Sequence, residues 1–336
     1  MSRPLLGTLL ASGAAIALGS LFPVAAGIFR HVDALHTTTL RYLLAAVLLL
    51  AVLAGVEGRR ALRFDGRAAQ VIGLGVIGIA GVNLLSFVGL ANSTPQNTAL
   101  IVALQPCIAV VVMWLRTRRA PGPAKLGVTL LALVGVALVI TKGSIGGAVA
   151  GGVGIGEGLV LIAALLWVLY SIGAASLTGW SPLRYTALTS AVGAVVMAAV
   201  TEVVTLAGGA RTPTTGDLAA VAVPLLYIVL VCGVGAILAW NASMKILGPG
   251  NAVLFSTLIP ITALTIQIVR GYRPGAVEIA GAVIAVTALV ASSLLDRRTA
   301  RRAATTALAA PPAGAARPEH PEHLERSGRA HEDATA

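Results

Sequence analysis

Residues 97–106 read NTALIVALQP, and residues 251–260 read NAVLFSTLIP. The first stretch continues through an apolar run to RTRRAPGPAKLG at 116–127, the second to RGYRPGAVEIAG at 270–281. The copies align without a gap, each residue 154 positions from its mate: Asn97 with Asn251, and Pro106 with Pro260. The same shift carries Gly81 onto Gly235, Pro95 onto Pro249, Arg116 onto Arg270, Arg119 onto Arg273 and Gly127 onto Gly281. Identities at one offset, spread over several apolar runs, indicate an internal duplication, and a repeat decides the architecture before any local feature does.

Composition defines the solvent. The chain is 57% hydrophobic and 11% charged, with a mean hydropathy of +0.90. Soluble domains carry about 25% charged residues. Continuous apolar runs recur, each long enough for the roughly 20 residues that cross a bilayer core. A β-barrel would alternate apolar and polar residues instead. The fold class expected is therefore an all-α polytopic membrane protein. Its ten transmembrane helices form two five-helix inverted-topology repeats. The spans fall at 5–29, 36–56, 71–91, 98–115 and 124–141, then at 157–177, 183–207, 218–242, 252–269 and 277–295. The first run is too long for a secretory signal, whose apolar region covers about 7–15 residues. The domains expected are 5–141 and 157–295, joined by a Gly-rich connector at 142–156. A cytoplasmic tail at 296–336 is expected to be disordered, because it is poor in apolar residues and rich in Ala, Pro and charge.

The net charge of +11 comes from loop and tail arginines, not from an aromatic-rich basic domain, so no nucleic-acid partner is expected. Arg59, Arg60, Arg63 and Arg67 fall on one side, with Arg116, Arg118, Arg119, Lys125, Arg184 and Lys245. Arg3, Arg297, Arg298, Arg301 and Arg302 fall on that side too. Only Arg30, Lys142, Arg211, Arg270 and Arg273 fall on the other. The rich side is cytoplasmic, which puts both termini inside the cell membrane. Arg270 and Arg273 then lie outside, although their repeat mates lie in a basic inner loop. An odd number of spans per half requires that inversion, and inverted repeats are characteristic of secondary transporters.

Taken together, the ten short spans, the five-span repeats and the mid-helix prolines of spans four and nine resemble the EamA family of the drug/metabolite transporter superfamily. The resemblance covers about residues 5–295. It implies a secondary transporter of a small metabolite, often an exporter, with a cavity between the halves. Arg41, followed by Tyr42 through Ala46, resembles the arginine that family carries early in span two. The Trp often seen in the first span is replaced near Ser20, whereas Trp167 stands at the counterpart in span six, so an asymmetric site is expected.

The candidate substrate-binding residues are Arg41, Asn83, Gln105, Pro106, Trp167, Tyr170, Asn241, Ser256 and Pro260. A mid-helix proline removes a donor and kinks the helix, which would leave carbonyls near Val102 and Ser256 free to face a cavity; otherwise the kink only shapes packing. Polar side chains in spans, which include Ser86, Asn97, Tyr227, Asn251 and Gln267, either line a path or bond to other helices. Arg41 is an intramembrane cation and hence a functional candidate. The competing reading has it snorkelling to the outer interface or pairing with a carboxylate. Glu157 and Glu202 are expected at the interface. No midplane carboxylate is placed to carry a coupling proton. Gly73, Gly75 and Gly78 spell GxGxxG inside an apolar span, where close helix packing is expected rather than dinucleotide binding. Cys107 and Cys232 read as buried small hydrophobes, and the tail histidines His320, His323 and His331 as solvated side chains. No HExxH, GxSxG or P-loop motif occurs, so no enzyme, cofactor or metal is expected.

The expected function is secondary transport of a small metabolite, as an exporter of amino acids or related compounds, with the lipid bilayer as the surrounding partner. The alternatives are a carrier or flippase for a nucleotide-sugar or lipid-linked sugar, a membrane-embedded enzyme on lipid-linked substrates, and a scaffold. Phosphorylated cargo would favour several cations in the cavity, and Arg41 is the one in-span candidate. The orientation leads to a labelling pattern: a Gly147→Cys variant should react with an impermeant thiol reagent from outside, and an Ala313→Cys variant should not. The opposite pattern would reverse the topology.

Overall fold

The computed structural model describes residues 3–118, 120–144, 154–174, 176–247 and 253–309. Arg119, Pro249, Asn251, most of the connector and the end of the tail lie outside the described residues, as do the labelling positions Gly147 and Ala313. Contacts divide the chain into Met1–Leu295 and Asp296–Ala336.

All regular structure among the described residues is helical. Helix α1 is Arg3–Ile28, α2 Ala34–Val56 and α3 Ala68–Ala91. Helices α4 (Pro95–Ala103) and α5 (Gln105–Thr117) meet at Leu104 with a bend of 40°. Then come α6 (Pro123–Thr141), α7 (Ile155–Ala174), α8 (Pro182–Leu206) and α9 (Thr215–Leu247). A 3-10 turn, Val253–Thr257, leads into α10 (Leu258–Val269), and α11 is Ala276–Ala309.

Seven of these helices are long and apolar enough to cross a bilayer, or eight when the bent pair counts as one. Two more apolar helices, Phe255–Val269 and Ala276–Ser292, are shorter. The expected ten full-length spans are therefore not all present as single straight helices. Proline is the reason at two of them: it removes the donor that a continuous ladder needs. One further expectation changes. Residues 296–309 belong to a helix rather than a disordered tail. Their alanines have the highest helix propensity of any residue, and the helix continues into them from α11's apolar part.

Helix ends are fixed by local chemistry. Four helices begin at acids that cap free backbone N–H groups, each an anion at the positive end of a helix dipole. Asp33 accepts from Leu35 N (2.9 Å) and His36 N (3.0 Å) at α2. Glu157 accepts from Gly154 N (3.0 Å) at α7, and Glu278 from Gly275 N (2.8 Å) at α11. At α9, Asp217 and Thr214 form a reciprocal capping box, with Thr214 N donating to Asp217 at 2.9 Å. Beside α11, Tyr272 donates to Glu278. Burial and that carboxylate push the Tyr272 phenol up to about 12. Elsewhere, Arg184 ties the start of α8 to the loop after α2, donating to Arg63 O and Asp65 Oδ2, both at 2.6 Å.

Between 28% and 50% of each spanning window is buried, and the outward positions are large and apolar: Val47 is 67% exposed, Val223 79% and Leu206 79%. Such a surface suits lipid, and lipid leaves no hydrophobic drive for one helix to seek another. Close backbone approach takes that role. A Cβ at Gly78 would fall inside the Tyr170 ring, and one at Gly156 would lie 2.3 Å from Asn92 O. Helix α2 packs on α8, α4 on α10, and α6 on α11. Helix α1 runs along Ala236–Leu247 of α9, and α7 along Val82–Ala91 of α3. Of the GxGxxG glycines, Gly75 and Gly78 sit at such contacts, whereas Gly73 meets nothing within 4 Å.

Helices α3 and α9 each contain a π-helical segment, at Gly75–Gly81 and Ile228–Gly235. The shift that pairs Gly81 with Gly235 superposes them in sequence. A π segment widens the turn, redirects the side chains that follow and often marks a functional site.

The α6–α11 seam yields a stability prediction. A Cβ at Gly281 would sit 2.8 Å from Gly135 O, whereas its repeat mate Gly127 has nothing within 4 Å. Gly281→Ala is expected to lower stability by about 1–3 kcal/mol, the usual cost of overpacking. Gly127→Ala should leave it unchanged or slightly raised, since Ala favours the helix. Thermal unfolding in detergent micelles separates the two.

Candidate functional site

Arg41 is the centre of the most unusual polar arrangement. Asp33 starts α2, and Thr38 and Arg41 follow one turn apart on one face, since residues three apart are neighbours on a helix. Arg41 is 5% exposed, so it neither snorkels to the interface nor, among the described residues, pairs with a carboxylate. Its guanidinium lies over the Phe87 ring (4.8 Å) and the Tyr42 ring (4.6 Å), an arrangement favoured by the ring quadrupole. Nη2 donates to Asn83 Oδ1 at 2.6 Å, and Nε has no partner.

Asn83 reaches Arg41 because of the π segment. Asn83 stands two residues after Gly81, and its Nδ2 donates back to Ile79 O at 2.8 Å. That bond holds the amide oxygen towards the cation. Phe87, one turn on, meets Phe29 edge to face with centroids 6.1 Å apart. Phe87 shares its core cluster with Cys232 of α9, against which Tyr227 packs. On α1, Ser20 bonds the Tyr227 hydroxyl at 2.7 Å.

A second group adjoins the first through Tyr42, which packs against the cluster holding Tyr170 and Tyr185. Tyr170 stacks on Tyr185 (4.9 Å) and lies 5.3 Å from Trp167. The Tyr170 hydroxyl bonds Thr189 at 3.0 Å, and Tyr185 donates to the Tyr170 carbonyl at 3.2 Å. Trp167 is 36% exposed.

The prolines stand where the ladders break. Pro106 is the second residue of α5, just past the bend, where the Leu104 carbonyl accepts from both Cys107 (2.8 Å) and Ile108 (3.0 Å). Pro260 is buried in the first turn of α10, after the 3-10 turn that holds Ser256. Leu104, at the bend, and Leu258, where the 3-10 turn gives way to α10, are again 154 apart. Gln105 opens α5 and Asn241 lies in the last part of α9, both half-buried. Of the nine candidates, Arg41 and Asn83 are bonded directly and Trp167 and Tyr170 are in ring contact. No hydrogen bond joins Gln105, Asn241 or the prolines to either pair among the described residues.

Sequence reasoning missed Thr38, whose buried hydroxyl has no partner. The signal available was a Thr-rich run one turn before Arg41. It also placed Glu157 at the interface. Glu157 stands in the first turn of α7 and is 8% exposed, accepting from Ser93 (2.6 Å) and Asn97 (3.1 Å) as well as Gly154. Ser93 comes from the turn between α3 and α4 and Asn97 from the start of α4, which local sequence does not place there.

If the breaks matter to transport, restoring each donor will show it. Pro106→Ala and Pro260→Ala should each reduce transport while inserting normally, because Ala suits a spanning helix. The quantity to compare is transport rate per folded protein. Wild-type rates in both variants would make the breaks packing features only.

The profile described as the EamA-like transporter family matches residues 5–141 and again residues 154–294. The chain is 29% identical over 301 residues to the uncharacterized transporter YrdR of Bacillus subtilis (strain 168), covering 87% of this chain and 92% of that protein. It is 27% identical over 282 residues to the uncharacterized transporter YyaM of the same organism, covering 84% and 91%. A solved crystal structure of a protein superposes with a TM-score of 0.63 at 19% identity, over 88% of this chain and 100% of that one. That likeness concerns the fold alone. With both of its matches together spanning most of the sequence, the chain belongs to the EamA-like transporter family.

Proposed function

We propose that this protein is a secondary transporter that exports amino acids or related small metabolites by alternating access between two inverted five-helix repeats. In this reading residues 5–141 and 157–295 are the repeats, both termini are cytoplasmic, and the surrounding lipid is the cell membrane.

The observation that carries the reading is the exchange of helix contacts under the 154-residue shift. The shift turns α1 into α7 and α3 into α9, so the α1–α9 contact becomes the α7–α3 contact, and both occur. The α1–α10 contact likewise becomes the α7–α5 contact, and both occur, while the pairs α2–α8 and α6–α11 are exchanged with themselves. A pseudo-two-fold axis between halves has that consequence, and transporters with such an axis bind substrate near the midplane where repeats meet. Capping supports the orientation. The acid-capped starts belong to α2, α7, α9 and α11, all of which begin on the side poor in Lys and Arg. Arg41 and Asn83, with Tyr42, Trp167 and Tyr170, supply the substrate contacts, and the broken elements α4/α5 and α10 supply the joints. The sequence assigns no residue to a coupling ion.

The test is flux in membrane vesicles, with and without an imposed pH gradient. Vesicles holding the protein should move at least one amino acid several-fold faster than vesicles lacking it. Movement of a nucleotide-sugar or lipid-linked sugar with no amino-acid flux would overturn the choice of cargo. Flux that responds to the pH gradient would identify the proton as coupling ion.

A further inference from the structure

We infer that the cargo carries a single carboxylate and that the Thr38–Arg41 face of α2 is the site that takes it. The inference rests on the transport reading above and specifies the cargo's chemistry at that site.

Arg41 is the one cation buried among the described residues. A buried cation without a counter-ion is costly unless something neutralises it. No described carboxylate is in ion-pair range of Arg41, and its aromatic neighbours and Asn83 bring no negative charge. Guanidinium offers five donors in a planar fork, yet only Nη2 is engaged and Nε is unpartnered. One turn away, the Thr38 hydroxyl is 0% exposed and also unpartnered. Buried polar atoms left without partners are few in native proteins. Two of them on one helix face, beside an uncompensated charge, describe half of a binding site.

The missing half must be a planar monoanion that accepts from Nε and from a hydroxyl. A carboxylate fits the fork, whereas a phosphate group would bring about two negative charges to a single cation. Asn83 is a positioning residue: held by Ile79 O, it turns the guanidinium so that the Nε side is left for cargo. The Phe87 and Tyr42 rings lie against the guanidinium.

The probes are neutral amino acids, their carboxamides and the corresponding deaminated carboxylic acids, with chloride and phosphate as anion controls. Thermal shift and equilibrium binding are read on the detergent-solubilised full chain. At least one acid should raise the unfolding temperature, with its carboxamide binding at least tenfold more weakly. Arg41→Gln should erase that difference. Thr38→Val should weaken the acid several-fold and leave the carboxamide unchanged. If Arg41→Gln fails to fold, Asn83→Asp decides, because it places a fixed carboxylate beside the guanidinium and should abolish acid binding in a folded protein. Equal binding of acid and carboxamide would overturn the inference, as would no shift with any acid, an equal shift with chloride or phosphate, or unaltered acid binding in Asn83→Asp. A wild type that transports a metabolite without a carboxylate, unaffected by Arg41→Gln, would overturn it while leaving the transport reading intact. A wild type that binds acids but moves nothing in vesicles would overturn the transport reading alone.

Discussion

Helices surrounded by lipid gain little by hiding apolar side chains from it, so this bundle depends on how closely its backbones can approach. The places of closest approach are glycines. Tyr170 packs across Gly78, and the Asn92 carbonyl meets Gly156. These contacts hold α3 against α7 along its C-terminal half. They act just where α3 changes to π-helical geometry and Asn83 is turned towards Arg41. Side chains on the three helices are thus positioned by residues that have none.

The polar groups are mostly committed to nearby partners. Glu157, Asp33, Asp217 and Glu278 are spent on helix starts, where free N–H groups need an acceptor. Tyr170, Tyr185 and Thr189 satisfy one another. Arg41 stands apart, since its charge is shielded by aromatic rings and one amide but not neutralised. In the proposed cycle an anionic cargo completes it, and entry requires movement because the side chain is nearly inaccessible. The broken elements α4/α5 and α10 are packed on each other.

Much of the fold was legible in the sequence because a bilayer imposes long apolar runs. The second span was expected at 36–56 and is Ala34–Val56; the seventh was expected at 183–207 and is Pro182–Leu206. Pro106 announced the bend, since a proline cannot continue the ladder. Features set by tertiary contact were not legible. Nothing local distinguishes Asn83 as Arg41's partner, because they are 42 positions apart and joined only once α2 and α3 pack. The π segments have no motif of their own, although Gly81 and Gly235 mark their ends. The Ala-rich continuation of α11 looked disordered because it lacks a core to join, yet alanine favours helix without one.

The central claim is that the second half is an inverted copy of the first, and it has a direct test. Gly122 and Ala276 are exposed and repeat-equivalent, 154 positions apart. Both native cysteines are buried, so a cysteine introduced at either position can be labelled selectively. In intact cells an impermeant thiol reagent should label Ala276→Cys and spare Gly122→Cys, with the pattern reversed in inside-out vesicles. Labelling of both positions from the same side would contradict the inversion.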